Sequence, residues 1–582
     1  MLLTGKSYTS MEMIPLNYKF PTFGIILLTL LLSCSEGENK TQTKAGDVEI
    51  TWYRNPFIYN VDVDAFKDSD GDGVGDFKGL TWQLDYLKDL GVDVLWLSPF
   101  QPTPDNDDGY DITDYYGIDS RLGREKDFSK FMQEAKKRHM KVIMDIVLNH
   151  TSIEHPWYQK ARADTNSKIN SWYVWSKSKP KDFNKGMVFP GTQTETWTWD
   201  DVAKHYYFHR FYDFQPDLNY TNKDVQREAA KILKFWLSKG VDGFRLDAVP
   251  FIIDIPETGS AAPEHMFDIL TMLRDTVKAD NPDAVLLGEA NVTAEENKDF
   301  FGDKGERLQM MFNFYANQYL FYSLASQDPI PFSKALKAFR VKPGSSQWAF
   351  FLRNHDEVDL ARLSKSERKM VYDKFGPEAN MQLYDRGIRR RLAPMLSNPA
   401  SLKMAYHLLF SLPGAPVIRY GEELGMGDDL TLKERLSVRT PMQWDSSRNA
   451  GFSTSVKTFR PIIMSGEYAY PKVNVAKEER DPSSILVFIK QMVKLRKEHP
   501  EVGLGDWQIV KSTDGVFIIK YNYGDKTLVS VSNFTSENKQ LDIKHISGNK
   551  KQITPLISAK TQKTSSNTIV LPGYGFQWFE LK

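Results

Sequence analysis

From residue 56 onward, short runs rich in Val, Ile, Leu and Phe alternate with longer stretches in which apolar residues recur at helical spacing. The first pattern suits strands buried on both faces, the second helices with one apolar face. Their alternation predicts a parallel sheet with helical crossovers. Strands are predicted over residues 57–63, 92–98, 142–148, 243–248, 285–288, 311–314, 348–353 and 416–420, and amphipathic helices over 80–90, 127–138 and 224–239. Eight strands is the number that closes a barrel, so the predicted class is α/β, a (β/α)8 TIM barrel.

One connection breaks the rhythm. About 90 residues separate the third and fourth strands, far more than a loop and a helix need. This stretch is rich in Trp, Tyr, Lys and Asp, and residues 149–219 are predicted to form an inserted subdomain over one side of the barrel mouth. After a helix-like run at 485–497 the chain changes to short alternating runs, at 510, 516–521, 527–531 and 576–581, separated by Gly, Asn, Asp and Ser. That pattern predicts an antiparallel β-sandwich, which divides the chain into a barrel unit at 47–503 and a C-terminal unit at 504–582.

The first 46 residues carry a different signal. Lys6 and Lys19 precede an apolar run at 20–32 that ends Leu31-Leu32-Ser33-Cys34, and Cys34 is the one cysteine of the chain. The run is shorter than the roughly 18 residues of a membrane-spanning helix. It resembles a bacterial lipoprotein signal, which implies removal of residues 1–33, a lipid on Cys34, and a polar tether over 34–46. The location implied is a bacterial membrane lipoprotein facing the periplasm or the cell surface, anchored through its N-terminal lipid only. Met11 or Met13 could equally begin the protein. A lone cysteine excludes an intramolecular disulfide and a cysteine-based metal site.

Charge narrows the partner. With 75 basic and 75 acidic residues the formal net charge is zero, so no global field draws the 582-residue chain to nucleic acid or anionic lipid. A small neutral ligand fits that balance better, and the 13% aromatic content, including 13 Trp, offers apolar faces on which sugars can stack.

The candidate chemistry lies where polar residues end the apolar runs, since in a barrel enzyme those ends face the active site. The third strand ends in Asp145, Asn149 and His150, and the fourth contains Arg245 and Asp247. The fifth ends in Glu289 and Asn291, the seventh in Arg353, Asn354, His355 and Asp356. Arg245 lies two residues from Asp247, so both side chains share one face of a strand, where the guanidinium would keep Asp247 ionised. A retaining glycosidase needs one ionised carboxylate to attack the anomeric carbon and one protonated carboxyl to release the leaving oxygen, and Glu289 in apolar surroundings suits the second role.

These four segments, in this order, resemble the motif regions of the α-amylase superfamily, glycoside hydrolase family thirteen. The resemblance implies Asp247 as nucleophile, Glu289 as general acid/base and Asp356 as the carboxylate that holds the sugar 2- and 3-hydroxyls. It also implies Arg245, His150 and His355 as substrate-binding residues. Asp107-Asp108-Gly109-Tyr110 is similar to a motif in which Asp107 caps the terminal glucose and Tyr110 stacks on it. Residues 215–219, and 438–444 with Arg439 reaching back to the sugar, resemble the branch that contains oligo-1,6-glucosidase and trehalose synthase. Residues 351–357, 387–394 and 425–428 bring the resemblance closest to trehalose synthase. The chain departs from that pattern at Val292-Thr293 and at Glu422, so acceptor specificity stays open.

The loop from Asp68 to Asp76 places Asp68, Asp70, Asp72 and Asp76 at alternate positions with glycines between them, a pattern of hard oxygen ligands for calcium. It is not an EF-hand, because the twelfth position is Gly79. The branch carries a similar loop, which implies a structural Ca2+ held by Asp68, Asp70, Asp72, the carbonyl of Val74, and Asp76. Three functions remain in view: a trehalose synthase-like isomerase of maltose and short α-glucosides, an exo-acting α-glucosidase or amylase-type hydrolase, and a sugar-binding surface lipoprotein without activity. The intact carboxylates disfavour the last.

Overall fold

A computed structural model describes residues 51–254, 265–542, 546, 552–559, 562–563 and 568–582. The leader at 1–33, Cys34 and the tether at 34–46 lie outside the described residues. No helix among the described residues is long and apolar enough to cross a membrane.

Eight parallel strands close into a barrel: β1 (Ile58–Val61), β2 (Val94–Leu97), β3 (Lys141–Ile146), β4 (Gly243–Leu246), β5 (Val285–Gly288), β6 (Met310–Phe312), β7 (Gln347–Phe351) and β8 (Ala415–Arg419). Each neighbours the next in sequence, and β8 returns to β1 through pairs such as Ile58 with Val417. All eight predicted strands are present.

The two-residue period of a strand divides the side chains between two cores. Ile58, Val94, Trp96, Ile143, Leu287, Phe312, Phe351 and Val417 pack inside the barrel, whereas Tyr59, Leu95, Val142, Phe244 and Leu286 pack outward under the helices. Burial on both faces is why these runs read as continuously apolar. The outer layer includes helices Phe77–Trp82, Leu84–Leu90, Glu125–Lys137 and Lys223–Ser238, the last capped by the Asn222 side chain.

The long connection after β3 folds as expected into an insertion, with helix Pro156–Ala163 and a three-stranded antiparallel sheet of Trp175–Ser176, Trp197–Asp200 and His205–Phe208. A second excursion, after β7, was not foreseen. It holds helix Lys365–Phe375 and a small sheet of Val358–Asp359, Gln382–Leu383 and Gly387–Ile388, whose two-residue strands are too short to register as a hydrophobic pattern.

The C-terminal region is a sandwich. A five-stranded sheet, in the order Asp506–Thr513, Val516–Tyr523, Lys526–Asn533, Phe576–Leu581 and Ile553–Ser558, faces a three-stranded one across Val516, Ile518, Val529, Val531, Leu541 and Leu571. Its other face, with Phe517, Ile519, Leu528 and Trp578, packs into the core shared with the barrel helices.

Candidate active site

The carboxyl ends of the strands gather the site. Phe244 and Leu246 point outward, so Arg245 between them points into the barrel, and register places it beside Asp145 on β3. Its Nη1 lies 2.6 Å from Asp145 Oδ1 and 2.7 Å from Asp247 Oδ1, and its Nη2 lies 2.8 Å from Glu289 Oε2. One guanidinium, 1% exposed, thus serves three carboxyl groups. Directly after Asp247 the chain turns through Ala248 at φ +50°, a left-handed conformation that costs a non-glycine residue energy. In that turn the Ala248 N–H donates to Glu289 Oε2 at 3.1 Å.

Burial pushes Glu289 up to about 7, with Arg245 opposing and the Asp247 and Asp356 charges reinforcing the shift. Burial also raises Asp247. Arg245 and a hydrogen bond from Glu289 act against that rise, while Asp145 and Asp356 add to it. Arg245 favours the ionised form of Asp247 against burial. The guanidinium is divided among three acids, so its pull on any one is diluted, and the group titrates as a cluster. Burial raises both carboxyls, Glu289 to about 7 and Asp247 to about 6, which leaves Glu289 the weaker acid of the two.

Asp356 sits in the opposite field. Burial alone would raise it, but the guanidinium groups of Arg435 and Arg439 hold it well below the usual carboxylate range, beside a His355 that burial keeps neutral. His355 Nε2 lies 3.1 Å from Asp356 Oδ2 and 2.7 Å from the Tyr110 hydroxyl, which also donates to Asp145 at 3.0 Å. The His355 and Tyr110 rings stack with centroids 5.6 Å apart. Burial lowers His150 to about 4, so it is neutral, with Nε2 at 3.1 Å from the Tyr110 carbonyl.

Asp247, Glu289, Asp356, Asp107, Tyr110, His150 and His355 all line one cavity of about 360 Å3. Arg245 lies under it. Arg439 is placed differently from expectation: it is 2% exposed, does not line the cavity, and bonds Asp108 at 2.6 Å, Asp356 at 3.0 Å and the His355 carbonyl at 2.9 Å. It props Asp356 from behind. The guanidinium that reaches the cavity is that of Arg435, 2.6 Å from Asp107 and 2.9 Å from Asp356. Sequence reading missed it, although it stands one helical turn before Arg439 in the same segment. Gln215 completes this end, donating to Asp107 at 3.0 Å.

Three separate segments meet behind Phe189 and Arg435, which line the cavity. The Arg435 guanidinium lies 5.1 Å from the Phe189 ring of the insertion, and Phe189 packs 4.8 Å from Tyr212 and 4.5 Å from Tyr384. The two tyrosine hydroxyls lie 3.1 Å apart, and both donate to Glu434.

In the acidic loop, Asp68, Asp70 and Asp76 present ligand oxygens within 4.8 Å of one another. Asp72 lies outside that group, its Oδ1 accepting from the Val74 N–H at 2.8 Å. Gly71 and Gly73, at φ +84° and +100°, make the left-handed turns that fold the loop. Three converging carboxylates are a donor set that suits a hard cation.

Comparison with known proteins agrees with this geometry. Residues 57–505 match the model of the α-amylase catalytic domain. The chain is 35% identical to trehalose synthase of Pimelobacter sp. over 92% of this chain and 96% of that protein. It is 39% identical to trehalose synthase of Thermus thermophilus over 84% of this chain, but spans only about half (51%) of that longer protein. Among solved structures, trehalulose synthase from Pseudomonas mesoacidophila MX-45 superposes with a TM-score of 0.73 at 26% identity, over 91% of this chain and 99% of that one. The chain belongs to the α-amylase family, within the branch of oligo-1,6-glucosidase and trehalose synthase, and is an enzyme that acts on glycosides with retention.

Proposed function

We propose that the enzyme isomerises maltose to trehalose within one cavity. Asp247 attacks the anomeric carbon of the terminal glucose while Glu289 gives its proton to the departing O4, so the glycosidic bond breaks as the glucosyl ester forms. The freed glucose turns, and its O1 attacks the same carbon. Its proton returns to Glu289 and Asp247 leaves. No water is consumed, and two inversions give net retention. Asp356, held ionised by Arg435 and Arg439, takes the 2- and 3-hydroxyls, and Asp107 takes the far hydroxyls of the terminal sugar.

The observation that supports isomerisation over hydrolysis is the wall made by Phe189 and Arg435, backed by Tyr212, Tyr384 and Glu434. It ties the insertion, the β7 excursion and the segment after β8 together beside the carboxylates. A released glucose kept behind such a wall meets the ester before water does. The cavity stands at the small end of ligand sites, about 300 to 1,000 Å3, and suits a disaccharide. Incubation with maltose, with trehalose and glucose quantified separately, tests the reading. Trehalose as the main product supports it, and glucose alone assigns an exo-acting α-glucosidase.

A structural Ca2+ is part of the proposal. Asp68, Asp70 and Asp76 would hold it, with the Val74 carbonyl and Asp72 as the remaining expected ligands. The ion would supply charge balance to the loop and take no part in the chemistry. Anchoring through a lipid on Cys34 remains the proposed location, tested by metabolic labelling with a fatty acid.

A further inference from the structure

The support of Asp356 continues behind Arg439. Asp108 Oδ2 accepts from Arg439 Nη1 at 2.6 Å, and its other oxygen, Oδ1, accepts from Nη2 of Arg460. Nη1 of Arg460 donates to the Arg439 carbonyl at 3.1 Å. Arg460 therefore holds Arg439 twice, at its main chain directly and at its side chain by way of Asp108. Arg439 in turn donates to Asp356 Oδ1 at 3.0 Å and to the His355 carbonyl at 2.9 Å. Arg460 itself is 7% exposed and does not line the active-site cavity. The acidic loop fixes its place: the Phe459 N–H donates to the Gly73 carbonyl at 3.0 Å, and the Arg460 guanidinium lies 4.7 Å from the Phe459 ring.

A second acid stands within reach of Arg460, with Asp64 Oδ2 3.9 Å from Nη2. Burial pushes Asp64 up to about 8 against the pull of Arg460, so it is protonated at neutral pH and leaves the guanidinium to Asp108. Burial also acts to raise Asp108, but Arg460 and then Arg439 hold it well below the usual carboxylate range. Without Arg460, one largely buried oxygen of Asp108 would lose its ionic partner, and the attraction of that carboxylate would fall on Arg439 alone. Arg439 would then be drawn away from Asp356. We infer that Arg460 is a positioning residue for the reaction, one that holds Asp108 and Arg439 so that Arg439 stays on Asp356, the carboxylate that takes the sugar 2- and 3-hydroxyls. This rests on the reading of Asp356 and is indifferent to whether the glucosyl group passes to a sugar or to water.

The test compares α-glucosyl fluoride with its 2-deoxy analogue, which lacks one of the two hydroxyls that Asp356 takes. In Arg460→Gln, kcat/KM for the glucosyl fluoride is expected to fall by about tenfold or more and that for the 2-deoxy fluoride by about threefold at most, and Arg460→Lys should recover part of the loss. Asp108→Asn should show the same pattern. The double variant D108N/R460Q should lose no more than the worse of the two single variants, because both act along one route to Asp356. Asp356→Asn is the control, and should cost the glucosyl fluoride far more than the 2-deoxy fluoride. Equal losses on both fluorides in R460Q, or losses in the double variant that multiply, would overturn the role of Arg460 where D356N shows its expected difference. No such difference in D356N would reject the reading of Asp356 itself, and with it the route from Arg460 to the substrate. If R460Q lacks a cooperative melting transition, R460K and D108N carry the same comparison, and equal losses on both fluorides in them overturn the assignment in the same way.

Discussion

Nη2 of Arg245 lies 2.8 Å from Oε2 of Glu289, although in the proposed reaction Glu289 is the acid that has to carry a proton when substrate arrives. Burial and the charges of Asp247 and Asp356 outweigh that guanidinium and set Glu289 at about 7. Activity as kcat/KM is therefore expected to decline above about pH 7 as Glu289 loses its proton, and to decline on the acid side as Asp247 gains one. Glu289→Gln should abolish the basic limb and spare substrates with good leaving groups, such as a glycosyl fluoride, far more than maltose. A basic limb that persists in E289Q would reject Glu289 as the acid. Asp247→Asn keeps the shape and removes the nucleophile, so activity should drop by several orders of magnitude with the melting transition intact. Retention of a tenth of the activity would reject that role.

The pairing of Arg435 with both Asp107 and Asp356 closes one end of the cavity. A longer glucan cannot continue past that ion pair, so disaccharides should be preferred over starch. Asp107→Ala should raise KM and lower kcat together on maltose, about tenfold or more in kcat/KM, because contacts to remote hydroxyls help stabilise the transition state. Rapid internal cleavage of amylose by the wild type would show an open cleft.

Removal of calcium should separate stability from chemistry. A ligand bound only to the folded chain stabilises it by about 2.7 kcal/mol at a hundredfold excess over Kd. Chelator is thus expected to lower Tm by several degrees and to leave initial rates at low temperature nearly unchanged. An unaltered Tm together with a metal analysis that finds no calcium would show the loop to be a metal-free turn.

Glu423 is a buried acid without a paired cation among the described residues. It is 0% exposed, accepts the hydroxyls of Tyr59 and Tyr86 at 2.7 and 2.8 Å, and is pushed up to about 7 by burial, which those bonds and Arg391 only partly offset. Between the ordinary glutamate value of 4.5 and about 7, the unfolded chain releases this proton while the folded chain keeps it, so stability falls as pH rises through that window. Glu423→Gln, which cannot ionise, should gain a few degrees in Tm relative to wild type between pH 5 and pH 8. A Tm difference that does not change with pH would show that Glu423 is ionised when folded.

By itself the sequence determined the barrel and the identities at its mouth. Strands buried on both faces leave unbroken apolar runs, and a charged residue such as Arg245 or Asp247 within one is conspicuous because only a purpose at the strand end tolerates it. The insertion after β3 was legible from length alone. Tertiary structure decided what the carboxylates share and what encloses them. That Arg245 is divided among Asp145, Asp247 and Glu289 depends on register between β3, β4 and β5, which no single run records. That Arg435 and not Arg439 reaches the cavity depends on how an irregular segment after β8 lies across the mouth. The cluster joining Phe189, Tyr212, Tyr384 and Glu434, and the contacts of Asp359 with Asn291 and Arg386, come from loops far apart in sequence. Such loops lack the periodicity that betrays strands and helices, and side-chain contacts alone set their positions.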